Sequence, residues 1–172
     1  MLNRIIEKHI QIERYLQDFC RMHIASYCRR CESVCCREDI CRESMESPFL
    51  REIIGKKAVS YDCRKGWLDP KSGCRIRQGR PFVCYEYFCS GIPKKAYSAV
   101  SEIIRRMNQA YARVYRGRHI LELDDLSLIS ERKLKRIYEK ISTILSWLSE
   151  KKLDCRQSVE YNQTKTQPED RI

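Results

Sequence analysis

Four cysteines fall within the stretch CRRCESVCC, residues 28 to 36, and two of them are adjacent. Sulfur at this density must be paired, chelated or kept as a redox couple, and each choice constrains the fold around it. A disulfide framework is the weakest of the three. The chain has eleven cysteines, so full internal pairing leaves one over. With 172 residues and 42% hydrophobic content the chain can bury a core without covalent staples. The opening segment MLNRIIEKHIQIERYLQDFC is interrupted by Arg4, Glu7, Lys8 and Glu13, so it lacks the apolar run of a signal peptide. The expected compartment is therefore the cytoplasm, where thiols stay reduced. A thioredoxin-like couple at Cys28 and Cys31 needs a strand–helix–strand setting that the flanking sequence does not offer.

A metal site remains. Cys28 and Cys31 are separated by two residues, a spacing that lets two sulfurs reach one ion at about 2.3 Å. Adjacent Cys35 and Cys36 point to opposite sides of an extended chain. They share a site through a local kink, or they serve two metal atoms. A polynuclear iron–sulfur centre accommodates this more readily than a lone tetrahedral zinc, and zinc stays open. The bacterial ferredoxin spacing and the paired-histidine zinc-finger spacing are both absent.

Helical periodicity brackets the cysteine region. Over residues 2–26, Leu2, Ile5, Ile6, His9, Ile12, Leu16, Phe19, Cys20, His23 and Tyr27 recur at three- and four-residue steps. Arg4, Lys8, Glu13, Arg14 and Asp18 are assigned to the other side. Residues 28–92 hold nine of the eleven cysteines and the glycines at 55, 66, 73, 79 and 91. Loops and turns are expected there, with one short helix in SPFLREIIG. In it Ser47 is the N-cap, Pro48 the first helical residue and Gly55 the stop. Two helices are expected over 93–152. The first carries Tyr97, Val100, Ile103, Ile104, Met107, Tyr111 and Val114 and stops near Gly117. The second, capped by Ser130, carries Leu134, Ile137, Tyr138, Ile141, Ile144, Leu145 and Leu148. The fold class this predicts is mainly α: a small helical domain over 1–155 around an irregular cysteine-rich metal-binding centre, with a disordered polar tail at 156–172.

The net charge of +11 favours acidic partners. Some of the excess can offset thiolates, because a divalent ion held by four of them carries a local charge of about −2. Arg105, Arg106, Arg113, Arg116, Arg118, Arg132, Lys133, Lys135 and Arg136, with Tyr97, Tyr111 and Tyr115 among them, raise the possibility of a nucleic-acid face. Charged outer faces on packed helices are the favoured reading, so nucleic acid is not the favoured partner; a protein partner is an open expectation. No segment reaches the ~18 apolar residues of a membrane span.

Downstream of the first cluster the chain reads CRKGWLDPKSGCRIRQGRPFVCYEYFC. Together with CRRCESVCC it resembles the YkgJ-type cysteine-cluster family, zinc- or iron-chelating proteins defined by a CxxCxxCC signature. Cys63, Cys74, the Arg80-Pro81-Phe82-Val83-Cys84 run and Tyr87 match the second half of that pattern. The match covers residues 28 to 89, and it departs from the signature in placing three residues between Cys31 and Cys35. The resemblance implies a metal centre, iron–sulfur or zinc. Its expected ligands come from Cys28, Cys31, Cys35, Cys36, Cys63, Cys74, Cys84 and Cys89, the last at a place where the family often has an apolar residue, so that a packed thiol is its alternative; the protein would act in redox chemistry, metal handling or support of another enzyme. A lysine N-methylase branch of the family carries the same kind of cluster, which makes an iron–sulfur enzyme one alternative; a structural-zinc module binding nucleic acid is another. Arg80 reads equally as a residue beside the ligands, compensating thiolate charge, and as part of a solvated basic loop, while Arg75 and Arg77 read as a solvated loop. Cys20 and Cys155 read as bystanders, Cys41 has no counterpart in the family, and His23 reads as a core histidine with metal ligation as the alternative.

Overall fold

A computed structural model of the chain describes residues 1–24, 38–56, 61–64, 66–69, 73–86, 92, 94–111 and 129–164. It is mainly helical. The long helices are α1 (Leu2–His23), α5 (Lys94–Tyr111) and α6 (Glu131–Thr164). Between α1 and α5 lie the short helices α2 (Glu38–Glu46), α3 (Pro48–Ile54) and α4 (Val83–Glu86). A two-residue antiparallel ladder joins β1 (Leu68–Asp69) to β2 (Gly73–Cys74), with Leu68 opposite Cys74.

The amphipathic stripes become one core. Ile5, Ile12 and Leu16 of α1 are fully buried against Val100, Ile103, Ile104 and Met107 of α5 and Ile137, Ile141 and Leu148 of α6. Helix α3 adds Phe49 and Leu50, and the segment after β2 adds Phe82 and Tyr85. Burial of a large apolar side chain stabilises by roughly 1.5–3 kcal/mol, so these positions supply most of the driving force for folding. Where α1 meets α6, Arg4 donates to the Tyr138 hydroxyl at 2.8 Å, and both Arg4 and Lys8 lie over the Tyr138 ring.

Helix α1 ends at His23 with Ile24 as its C-cap, and the expected end at 26 lies outside the described residues. Helix α6 begins directly after Ser130, whose carbonyl accepts from Lys133 and Leu134. It continues to Thr164, past residue 152 and into the polar tail, and no glycine or proline interrupts the sequence before Pro168. Val114, Gly117 and residues 165–172 lie outside the described residues.

Helix α3 forms as its sequence signals require. The Ser47 hydroxyl oxygen accepts the Leu50 N–H at 3.3 Å, Pro48 occupies the first turn, and Gly55 ends the helix at a φ of 56°. Ser47 is buried, so Ser47→Ala leaves that N–H without its side-chain acceptor. We expect the substitution to cost about 1 kcal/mol, seen as a lower urea midpoint with an unchanged slope.

Helix α2, like α4 and the β1–β2 ladder, was missed by the sequence reading, which placed loops and turns there. Nine residues give too few turns for a periodic signal, and its inward face carries Cys41 and Ser44 rather than large apolar groups. Cys41 belongs to a second, smaller core with Ile54, Trp67 and Ile76, against which Met45, Tyr61 and Cys74 pack. Gly66 makes this core possible. Its φ is +60°, and a Cβ there would sit 2.6 Å from the Cys41 Cβ and 2.8 Å from its sulfur.

Candidate metal centre

Three of the eight cysteines expected as ligands have described side chains. Cys63 is exposed in the turn closed by Asp62 and Gly66, whose backbone groups exchange hydrogen bonds of 3.2 and 2.7 Å. The Asp62 carboxylate accepts the Arg64 N–H at 2.8 Å and shapes the same turn. Cys74 ends β2 half-buried, with its Sγ 3.7 Å from the Ile76 carbonyl. Cys84 is exposed in the first turn of α4, where its N–H donates to the Pro81 carbonyl at 3.0 Å. Cys28, Cys31, Cys35, Cys36 and Cys89 lie outside the described residues, as does Tyr87. Among the described residues no three His, Cys, Asp or Glu side chains form a group able to hold a metal. The described part of the expected ligand set is therefore a partial one. Thiolate sulfur is the donor that thiophilic metals select, and Cys63, Cys74 and Cys84 carry it in no disulfide.

Arg80 organises the loop between Cys74 and Cys84. Its Nε donates to the Ile76 carbonyl at 2.9 Å and its Nη2 to the same oxygen at 2.6 Å, with a longer contact to the Cys74 carbonyl at 3.5 Å. Burial disfavours its charge, yet Tyr85, Cys74, Cys84 and Glu13 together hold its pKa above the ordinary arginine value. The guanidinium is thus electrostatically coupled to Cys74 and Cys84, two of the expected ligands. Arg75 and Arg77 are exposed, as expected.

The network that anchors this loop went unread in the sequence. Glu13, assigned to the polar side of α1, is fully buried. Its position four residues after His9 and three before Leu16 places it on the edge of the apolar stripe, and that spacing was the available signal. Glu13 Oε2 accepts the Gly79 N–H at 2.8 Å, and Oε1 accepts the Arg80 N–H at 3.0 Å and the Tyr85 hydroxyl at 3.2 Å. Gln17, one turn further along α1, donates to the Tyr85 oxygen at 2.9 Å and also to the Arg77 carbonyl. One buried carboxylate and one amide thereby tie residues 77–85 to the first helix. Burial pushes the Glu13 pKa up to about 7, against the pull of the two N–H donors, the Tyr85 hydroxyl and Arg80. His9 is pushed down to about 3 by burial and is neutral.

His23 is corrected in the other direction. Spacing alone puts it in the core, but it is exposed in the last turn of α1, its ring 4.4 Å from that of Phe19. Cys20 is half-buried on α1, and Cys155 lies on α6 with its side chain outside the described residues.

Two of the basic residues of α5 have partners within the fold. Arg105 and Arg106 both bond Glu102, at 2.7 Å each, and Arg106 also covers the Trp147 ring at 4.3 Å. Arg132, Lys133, Lys135 and Arg136 are exposed along α6, while Arg113, Arg116 and Arg118 lie outside the described residues. Among the described residues no helix is long and apolar enough to cross a membrane.

No family model, no curated protein and no solved structure matches the chain. The functional reading accordingly rests on its own residues.

Proposed function

We propose that this chain is a cysteine-ligated metal protein of the YkgJ type, carrying an iron–sulfur cluster or zinc, and acting in the cytoplasm in electron transfer, metal handling or support of a partner enzyme. Its ligands are drawn from Cys28, Cys31, Cys35, Cys36, Cys63, Cys74, Cys84 and Cys89. The observation that carries the reading is the placement of Arg80. A half-buried arginine that binds the Cys74 and Ile76 carbonyls, and whose charge Cys74 and Cys84 favour, is the kind of counter-charge that a thiolate-rich centre needs. When bound, an iron–sulfur cluster supplies one-electron chemistry, whereas zinc supplies a cross-link between distant parts of the chain.

Isolation under strict exclusion of oxygen, followed by elemental analysis, tests the proposal. We expect either a brown protein with iron and acid-labile sulfide, or a colourless one with stoichiometric zinc. A preparation free of both metals, with cysteine pairs found as disulfides by mass spectrometry, would overturn it.

A further inference from the structure

His9 and Glu13 lie one turn apart on α1 with no exposure to solvent. On one side Glu13 receives the N–H groups of Gly79 and Arg80 and the Tyr85 hydroxyl. On the other, His9 Nδ1 is 3.0 Å from the Tyr111 hydroxyl of α5. His9 Nε2 stands 3.8 Å from Glu13 Oε2 and has no hydrogen-bond partner among the described residues. Phe82 stacks on the imidazole at 5.3 Å and Phe49 meets it edge-on at 5.1 Å, so the ring is enclosed by aromatic carbon. A buried ring nitrogen facing a buried carboxyl group, without a bond to anything else, is a donor lacking an acceptor or an acceptor lacking a donor.

We propose that His9 and Glu13 are a proton-exchanging pair that latches the Gly79–Tyr85 segment, and with it Cys74 and Cys84, onto the helical core: the latch is tight when the pair holds its proton and loosens when the proton is lost. The consequence at the cysteine site rests on the proposed function; the latch itself does not. With the proton present, the Glu13 hydroxyl points at His9 Nε2 and His9 donates its Nδ1–H to the Tyr111 oxygen. A closure of about 1 Å brings the first contact within hydrogen-bond reach. When that proton leaves for solvent, the imidazole changes tautomer. Its hydrogen moves to Nε2, facing the carboxylate, and Nδ1 accepts the Tyr111 hydroxyl instead. The ring stays neutral in both states.

The direction follows from the groups that face Glu13: His9 and Gln17 from α1, Arg80 and Tyr85 from the latched segment, and Tyr111 from α5 behind the histidine. Arg80 and the donors favour the carboxylate, but burial outweighs them and the folded value stands at about 7 against an ordinary 4.5. A carboxyl group with a raised folded value gives stability that is complete below its ordinary value and lost as pH rises to the folded one. Any opening that returns Glu13 to water is thus favoured by ionisation.

Amide hydrogen exchange at Gly79 and Arg80, corrected for intrinsic rates, tests this on the full chain between pH 5 and 8. We expect protection in the wild type to fall by roughly tenfold or more between pH 5 and 7 and to stay flat in Glu13→Gln. The nitrogen chemical shifts of His9 should report a change of tautomer over the same range. Equal pH dependence in wild type and E13Q, or a single tautomer throughout, would overturn the proposal. Should E13Q fail to fold, Tyr111→Phe keeps the core volume but removes the Nδ1 partner; an unchanged exchange midpoint in that variant would count equally against the latch. A third arm compares zinc affinity by chelator competition, where the ratio of wild type to E13Q should change with pH. A constant ratio, with the exchange result intact, removes the link from latch to site. If neither protein binds zinc or iron, the proposed function fails while the exchange data still decide the latch.

Discussion

Replacing Gly79 with alanine should remove a large share of the stability of this fold. Gly79 adopts a φ of +79°, where an L side chain is strained by about 1–2 kcal/mol. The added Cβ would also lie 2.5 Å from Ile54 Cγ1 and 2.9 Å from the Leu50 carbonyl oxygen. The backbone oxygen cannot rotate away, and overpacking of this kind costs typically about 1–3 kcal/mol. The two terms give roughly 2–5 kcal/mol, against a total stability of about 5–15 kcal/mol for a natural domain. Gly55→Ala is the control. Its φ is also positive, at 56°, but nothing lies within 4 Å of the added atom, so only the backbone term applies. Urea unfolding should therefore rank the two variants with G79A clearly the weaker. Equal midpoints would show that α3 does not press on the loop as described.

The second large effect concerns metal. In Cys74→Ser combined with Cys84→Ser, the two thiols within electrostatic reach of Arg80 become poor ligands for a thiophilic ion. Removing a partner outside the ligand shell typically costs 10–100-fold in metal affinity, so if Cys74 and Cys84 are ligands, as proposed, losing both should weaken binding by more than about 100-fold. Cys20→Ser, on the half-buried edge of α1, should bind as the wild type does. Metal-to-protein ratios after passage over a chelating column measure the difference. Full occupancy in the double variant would remove Cys74 and Cys84 from the ligand set.

What could be read in the sequence was whatever rests on local periodicity and local chemistry. The stripes of α1, α5 and α6 were legible because large apolar residues repeat over many turns. Helix α3 was legible from three residues, Ser47, Pro48 and Gly55, since each has a specific job at a helix end. Helix α2 was not, because its buried face is a cysteine and a serine, which carry no periodic signal. Glu13 was misassigned for a related reason. A charged residue is placed in solvent by default, and only contacts with Gly79, Arg80 and Tyr85, more than sixty residues away, make its burial tolerable. Such long-range satisfaction of a buried group has no local signature. His23 failed in the opposite sense, for it falls on the apolar stripe but at a helix end where the core no longer covers it. Of the candidate site, the cysteines and Arg80 were proposed from local motifs, while the anchoring of the Cys74–Cys84 loop by Glu13 and Gln17 required the fold.

The two halves of the account meet at the loop from Cys74 to Cys84. Arg80 fixes its interior, Gly79 lets it approach α3, and Glu13 fastens it to α1. A loop held from three directions carries its thiols at defined positions, which is what ligation by residues distant in sequence demands.

X-ray absorption at the edge of whichever metal accompanies the protein, on material kept free of oxygen, addresses the central claim most directly. The account predicts a first coordination shell dominated by sulfur, at about 2.3 Å if the metal is zinc. A shell made of oxygen and nitrogen alone would contradict it.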